Sequence, residues 1–316
     1  MYNCQLKTKF IKAYTDSIHS AAFIENAFEQ AEPYEEKFSR DIYAMDASEL
    51  QETIDHISGI KHKSYSTLIV YLKEYVKWCL KENVLGATEN IFQITEPGVA
   101  KLKEQTVANP MHLQKYLNEI FYPESEQMID NLYRCWFWMA YMGVREEDVV
   151  DVTIDQVDIS QGILKVGGKT YSLYGESIPA FSNAASLTSF RYSHPHYSRI
   201  IIRDRLPGNL LMRGIKANST ETGLRAVISK SIAEAYKCGK TDRRLSYSRV
   251  ALSGLFYRTY EMERAGFPVS FSEAVAEKMR GKTYSYNHKE TESIKKKRFE
   301  KEFLVDYNRW KSAFTV

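Results

Sequence analysis

The sequence predicts a mainly α-helical protein that also contains a small antiparallel sheet. Along much of the 316-residue chain, of which 44% is hydrophobic, apolar residues recur at the three- and four-residue spacings of amphipathic helices. One segment differs, because Gly162 to Val166 has the pattern of a strand and Gly167-Gly168-Lys169 follows it as a tight turn. The length accommodates two domains, each with its own hydrophobic core.

The first predicted domain covers residues 1–95 and is helical. Asp46 is the expected N-cap of one helix, and Ser64 or Ser66 is the expected N-cap of a second helix with a wide apolar face. Pro97 is among the residues that interrupt the pattern after that helix, which places the domain boundary just before it.

The second predicted domain covers residues 96–316 and ends in a C-terminal helix. In that helix the basic run Lys295 to Arg298 precedes a set of apolar residues spaced for one face, namely Phe299, Phe303, Leu304, Tyr307 and Trp310. Such a face packs either on its own domain or on a second copy of the chain, so self-association through this helix is one of two expectations. The basic run is either a phosphate contact or a solvated surface.

Arg145 is the residue that indicates most about function. An apolar helix carrying Leu132 and Trp136 precedes it, and Gly143 supplies the stop signal. Arg145 therefore begins the next short helix, while Lys169 lies at the end of the predicted hairpin turn. Two positive charges held at a helix junction and at a hairpin can converge on an anion.

This order of elements resembles the start of the catalytic domain of phage integrases, the tyrosine recombinases. Members of that family carry an apolar helix, a glycine-x-arginine turn with the first catalytic arginine, and a hairpin that presents a lysine. Here Gly143, Arg145 and Lys169 match that pattern, and Asp148 replaces the usual glutamate. The helical N-terminal domain is similar to the SAM-like core-binding domain that integrases place first. The resemblance implies a tyrosine-recombinase-like second domain and double-stranded DNA as the partner.

Further along the chain, the sequence keeps the positively charged residue of the family's motif but differs at the positions that transfer protons. Arg249 matches the arginine of the family's His-x-x-Arg box, whereas Ser246 replaces its histidine and Lys282 stands where the family uses histidine or tryptophan. In recombinases a tyrosine attacks a DNA phosphodiester, two arginines neutralise the non-bridging oxygens, and the lysine and histidine positions transfer protons. The resemblance therefore implies that Arg145, Lys169 and Arg249 hold phosphate at a degenerate catalytic site.

The nucleophile that the family requires has no clear counterpart. In integrases the tyrosine follows the glycine-histidine turn by roughly nine or ten residues, a spacing that leads here to positions without a tyrosine. Tyr284 and Tyr286 come too early and Tyr307 comes too late. The sequence therefore predicts no catalytic residue, although a displaced tyrosine remains an open alternative.

The net charge of +3 conceals an uneven distribution that favours nucleic-acid binding. From residue 191 onward there are 26 Lys and Arg against 13 Asp and Glu, whereas the first 190 residues carry 17 against 27. A basic half is typical of a surface that lies along phosphates. The predicted DNA contacts are Lys61, Lys63, Lys73, Arg145, Lys169, Arg243, Arg244, Arg249 and Lys282.

Three functions are consistent with these features. The first is a sequence-specific DNA-binding protein that has lost strand cleavage and acts as a transcription regulator; the chain resembles the integrase-like lysogeny repressors of SPβ-type Bacillus prophages in length and in its damaged site. The second is an active, divergent recombinase that uses Tyr284 or Tyr286, with Lys282 or Ser246 in place of histidine. The third is a protein-interaction module that keeps the fold without DNA.

Other classes of protein are disfavoured by composition. The sequence has no run of 18 or more apolar residues, and its polar start does not resemble a signal peptide, so we expect a cytoplasmic, nucleoid-associated protein. The four cysteines lack metal-binding spacing and are expected to be reduced and mostly buried. His194 and His196 are expected to lie in a loop. No metal or cofactor is predicted.

Overall fold

The chain forms two compact units in the computed structural model. The model describes residues 1–14, 18–59, 61–94, 96, 98–121, 129–194, 197–213, 220–269, 271–279 and 292–314. One unit comprises Met1–Lys103 together with Lys278–Val316, and the other comprises Glu104–Glu277. The C-terminal helix thus groups with the N-terminal unit and not, as its position in the sequence suggested, with the second domain.

The described residues are mainly helical. Their α-helices are α1 (Cys4–Tyr14), α2 (Ile18–Phe38), α3 (Ala47–Ile57), α4 (His62–Lys81), α5 (Ala100–Gln105), α6 (Pro110–Ile120), α7 (Ile129–Met142), α8 (Ile178–Ser186), α9 (Glu221–Lys237), α10 (Tyr247–Arg264), α11 (Ser272–Met279) and α12 (Glu292–Phe314). Short 3-10 helices cover Ile42–Ala44, Asn90–Gln93, Glu146–Asp151, Ile154–Gln156 and Gly175–Ser177. The strands are β1 (Val157–Asp158), β2 (Ile163–Val166), β3 (Lys169–Ser172), β4 (Ser189–His194) and β5 (Tyr197–Asp204).

Helix starts in the N-terminal unit confirm one predicted cap and correct another. Asp46 caps α3 as expected, since its side chain accepts the backbone N–H groups of Ser48 and Glu49, while the Glu49 carboxylate accepts the N–H of Asp46. Neither Ser64 nor Ser66 caps α4, which begins at His62. The physical reason is tertiary, because Asp306 of α12 accepts the His62 N–H at 2.7 Å and takes the place of a local cap.

The predicted apolar face of α12 is buried within the N-terminal unit. Phe299, Phe303, Tyr307 and Trp310 lie inside, whereas Leu304, which was expected on the same face, is 41% exposed. The face packs with its own unit, and α4 is one of its neighbours. We therefore do not propose self-association through it.

A charged cluster lies at the centre of the N-terminal unit. The Lys7 ammonium is fully buried, contacts both carboxylate oxygens of Glu35 and lies 3.9 Å from Asp41. Tyr75 donates a hydrogen bond to Asp41. Because one ammonium serves two buried carboxyl groups, one of those groups favours its protonated form, and burial raises the pKa of Glu35 to about 7.

The second unit is organised around α7. Nearly all of its side chains are buried, and α10 packs closely against it, since a Cβ added at Gly254 would lie 1.8 Å from the carbonyl oxygen of Tyr141. The predicted hairpin is confirmed as part of a three-stranded antiparallel sheet with the order β1-β2-β3. A second antiparallel hairpin, β4-β5, pairs Phe190 with Arg203 and was not predicted. The mainly α fold class with a small antiparallel sheet is therefore confirmed.

The Glu35 carboxyl makes the stability of the N-terminal unit depend on pH. Its folded-state pKa of about 7 lies above its ordinary value of 4.5, so near pH 6 the native state holds a proton that the unfolded state releases. Raising the pH from 6 to 8 removes that proton from a buried site and lowers the free energy of unfolding by about 1.4 kcal/mol, the equivalent of one pKa unit. Urea unfolding at the two pH values measures this loss, which Glu35→Gln should reduce. An equal loss in both proteins would contradict the assignment.

Candidate functional site

The turn that carries Arg145 is fixed at the C-terminal end of α7. Gly143 has a φ of 90°, a conformation that side chains rarely adopt, and Val144 donates its N–H to the Met139 carbonyl oxygen at 3.0 Å. Arg145 then takes the N-cap position of the 3-10 helix Glu146–Asp151 in extended backbone geometry. The predicted stop at Gly143 and the short helix after Arg145 are both confirmed.

Arg258 of α10 braces this turn, a role that no local pattern in the sequence indicates. Its Nη1 donates to the Tyr141 carbonyl oxygen at 2.5 Å, and its Nη2 lies 3.0 Å from a carboxylate oxygen of Glu273. Arg258 also fills the space beside Gly143, where an added Cβ would lie 2.7 Å from Nη2. The glycine therefore provides both a backbone conformation and room for the guanidinium.

The Arg145 guanidinium has a carboxylate partner in the next turn. Its Nε and Nη2 each lie 2.6 Å from an oxygen of Asp148, and Nη1 lies 3.5 Å from Glu147. This bidentate hydrogen bonding to Asp148 raises the pKa of Arg145. The side chain remains 42% exposed, so part of the guanidinium is accessible to a second anion.

The hairpin turn brings Lys169 towards this pair. Gly167 and Gly168 both have positive φ, at 57° and 73°, as a two-residue hairpin turn requires. A Cβ added at Gly167 would lie 3.7 Å from Oδ2 of Asp148, so the turn lies directly beside the Arg145–Asp148 pair. Lys169 pairs with Val166 at the start of β3, and its exposed side chain has no hydrogen bond or ion pair with the described residues.

The N-terminal end of α10 is attached to the same turn. The Tyr247 hydroxyl donates to the Val144 carbonyl oxygen at 2.8 Å, one residue before Arg145. Ser246 occupies the N-cap position without a side-chain cap, and its Oγ lies 3.1 Å from Oγ of Ser248. The first turn of α10, which contains Arg249, is therefore held against the segment that contains Arg145.

Arg249 differs from Arg145 in its electrostatic surroundings. Its side chain is partly buried, and in the part of the chain that the structure describes it has no hydrogen bond or ion pair. Burial lowers the pKa of Arg249, and no carboxylate offsets that effect. Arg145, Lys169 and Arg249, expected to act together, thus lie on three connected segments of the second unit.

The other predicted DNA contacts have different surroundings. Arg243 lies 3.5 Å from Asp242, and Arg244 lies over the Tyr236 ring at 4.3 Å. In the N-terminal unit, Lys61 is exposed and Lys63 lies 3.4 Å from Glu302.

Lys73 is occupied within the N-terminal unit. Its ammonium donates to the Ile94 carbonyl oxygen at 3.1 Å, which favours a structural role over the expected phosphate contact. Lys282 lies outside the described residues, so its placement is a prediction only.

Of the three candidate nucleophiles, the structure describes Tyr307. Tyr284 and Tyr286 lie outside the described residues. Tyr307 is 1% exposed and stacks between Phe303 and Trp310 at ring-centroid distances of 6.2 Å on both sides. A tyrosine buried in this way inside a helical stack cannot reach a phosphodiester without rearrangement of α12.

Two further arginines have structural contacts that sequence alone did not reveal. Arg225 of α9 forms hydrogen bonds to both carboxylate oxygens of Glu146, at 2.9 and 2.8 Å, and so braces the Arg145 turn from a second helix. Arg205, which lies in the basic half of the chain, donates to the backbone carbonyl oxygens of Ala184, Leu187, Leu210 and Leu211. Arg205 therefore connects the C-terminal end of α8 to the segment around Leu210 by hydrogen bonds.

Among the described residues, no group of three or more His, Cys, Asp or Glu is arranged to hold a metal ion. Cys79 and Cys135 are buried but Cys4 and Cys238 are exposed, so the expectation of mostly buried thiols holds for two of the four free cysteines. Across the same residues, no helix combines the length and apolar character needed to cross a bilayer.

Comparison with known proteins identifies the N-terminal segment. Residues 1–81 match the family model described as "MrpR, N-terminal core-binding domain". This match agrees with the predicted resemblance of the N-terminal domain to integrase core-binding domains. No curated protein sequence matches the chain.

Several solved structures match this chain at low sequence identity and low TM-score. The Tn1549 transposon integrase in complex with circular intermediate DNA is 13% identical over 93% of this chain and 98% of its own, with a TM-score of 0.35. XerA recombinase is 12% identical over 84% of this chain and 85% of its own, with a TM-score of 0.34. The integrase from mycobacterium phage Brujita is 12% identical over 98% of this chain and 91% of its own, with a TM-score of 0.31.

Gly143 is expected to be less tolerant of substitution than a glycine that has only an unusual φ. Gly143→Ala places an alanine in the left-handed backbone region, which costs about 1 kcal/mol, and also shifts the Arg258 guanidinium, which weakens its hydrogen bond to the Tyr141 carbonyl oxygen. Gly239→Ala is the matched control in the same unit, since Gly239 has a φ of 66° and nothing within 4 Å of an added Cβ. Urea unfolding should show a loss for Gly143→Ala that is larger than for the control by about 0.5–1 kcal/mol, the contribution of one hydrogen bond. Equal losses of stability in the two variants would contradict the role given to Arg258.

Proposed function

We propose that this protein binds double-stranded DNA through its phosphates without cutting it. The observation that carries the proposal is the partly buried Arg249 guanidinium, which has no counterion among the described residues. A partly buried charge without a partner is costly, and an arginine offers a planar fork that matches a phosphate group. A DNA phosphate would supply the missing anion.

The neighbours of Arg249 suit the same ligand. Lys169 is exposed and unpaired among the described residues, and it lies beside the Arg145 turn. Arg145 already shares its charge with Asp148, which leaves it able to accept one further anion on its exposed side. Arg243 and Arg244, which precede α10, extend the positive charge of this surface. In the N-terminal unit we retain Lys61 and Lys63 as phosphate contacts, and we leave Lys73 out because Ile94 holds it.

Loss of cleavage is the second part of the proposal. Ser246 stands where recombinases have histidine, so a proton-transfer group is absent from that position. Tyr307 is enclosed in the N-terminal unit and does not serve as the nucleophile. We infer a cytoplasmic, nucleoid-associated regulator, and specifically a prophage repressor that maintains lysogeny by holding intact operator DNA. The family matched by residues 1–81 is described as core-binding, which supports the DNA-binding part of this proposal.

DNA binding should weaken when the unpaired cations are removed. Arg249→Gln and Lys169→Gln should each reduce affinity for a labelled duplex and lower the slope of log K against log salt by about 0.9 per lost phosphate contact. Arg264→Gln, at the exposed C-terminal end of the same helix α10, is the matched control and should leave both quantities nearly unchanged. Salt titrations followed by fluorescence anisotropy measure the effect. A slope that does not respond to Arg249→Gln would contradict the proposed role.

Cleavage is tested separately from binding. With a nicked suicide duplex, the wild-type protein should bind but form no covalent protein–DNA adduct on a denaturing gel. Tyr284→Phe, Tyr286→Phe and Tyr307→Phe should bind equally well. An adduct that disappears with Phe at a single tyrosine would instead establish an active, divergent recombinase. Absence of binding to any DNA at low salt would favour a protein-interaction module.

A further inference from the structure

The C-terminal helix contacts the start of α4 through acidic residues. Asp306 accepts the His62 backbone N–H at 2.7 Å, and the Glu302 carboxylate lies 3.4 Å from the Lys63 ammonium. Both acids are on α12, close to its buried stripe, and Trp310 on that stripe is fully enclosed. The acidic residues are therefore held at α4 by a well-packed helix.

One of these carboxylates, Glu302, contacts Lys63, which we propose as a DNA contact, and Asp306 contacts the backbone of the neighbouring residue His62. Lys61 and Lys63 flank the first backbone N–H of α4, and that N–H together with the Lys63 ammonium is satisfied by Asp306 and Glu302. Carboxylate and phosphate oxygens make the same kind of charge-assisted contact with such donors. A DNA phosphate and the α12 carboxylates would compete for them.

We propose that α12 is an autoinhibitory element whose Glu302 and Asp306 occupy the phosphate-contacting start of α4 until DNA displaces them. The inference rests on the proposed DNA-binding function. The Lys63 side chain is 67% exposed, and surface ion pairs of this kind are weak, so the acidic contact attenuates binding and does not abolish it. The apolar stripe of α12 can stay buried while the two carboxylates swing away.

A structural role for the same contact predicts the opposite effect on binding. If Glu302 orients Lys63 towards DNA, removing the carboxylate should weaken the complex. If Glu302 and Asp306 compete with phosphate, removing their charges should strengthen it. The direction of the change in affinity therefore distinguishes inhibition from positioning.

The test uses the full-length protein and a labelled random-sequence DNA duplex at low salt. Glu302→Gln/Asp306→Asn removes both charges, while asparagine keeps an oxygen that can accept the His62 N–H, so the cap of α4 is preserved. The double variant should bind about three- to tenfold more tightly than the wild type, as expected for the loss of two charges that compete with phosphate. Asp306→Asn alone provides a second variant, expected to show part of the same gain.

Glu300→Gln is the matched control for net charge. Glu300 lies on the same helix, two residues from Glu302, and makes no ion pair with α4 among the described residues. A gain below about twofold for the control, with the larger gain for the double variant, supports autoinhibition. Equal gains for both, or weaker binding by the double variant, overturn it. Failure of the wild type and of every variant to bind DNA would instead reject the proposed function itself.

Discussion

The close packing of α10 on the C-terminal end of α7 is the contact on which the candidate site depends. Gly254 allows the backbone of α10 to approach Tyr141, since any larger residue would place its Cβ on the carbonyl oxygen. At that distance Arg258 reaches the same carbonyl oxygen, and Tyr247 reaches the carbonyl oxygen of Val144. One helix thus fixes the exit of α7, the turn that bears Arg145, and its own first turn with Arg249. Separation of the two helices would disperse all three.

The two arginines of the site have different electrostatic surroundings. Arg145 is bound to Asp148 in bidentate geometry, whereas Arg249 is partly buried without a carboxylate partner among the described residues. Two acidic residues of the turn hold neighbouring arginines in place, since Asp148 pairs with Arg145 and Glu146 pairs with Arg225 of α9, and both reduce the net positive charge there. Among the described residues, the charge of Arg249 is therefore less neutralised than that of Arg145, although the sequence pattern around Arg145 indicates more about function.

The N-terminal unit depends on the far end of the chain. The apolar stripe of α12 is buried there, and Asp306 replaces a local cap of α4. The Arg309 guanidinium adds a hydrogen bond to the Gly98 carbonyl oxygen at 3.1 Å. Deleting the C-terminal helix would therefore expose an apolar surface of the N-terminal unit. It would also leave the backbone N–H of His62, at the start of α4, without its hydrogen-bond acceptor.

The sequence by itself determined the local elements of the site. Periodicity located α7, the glycines located its end and the hairpin turn, and the Asp46–Glu49 pattern located the start of α3, because each of these depends on interactions between near neighbours in the chain. Tertiary structure decided the features that depend on contacts between residues distant in the chain. It turned Arg205 inward, enclosed Tyr307, gave α4 a cap from α12 and braced the Arg145 turn with Arg258, since no local pattern specifies which distant group fills a given space or neutralises a given charge.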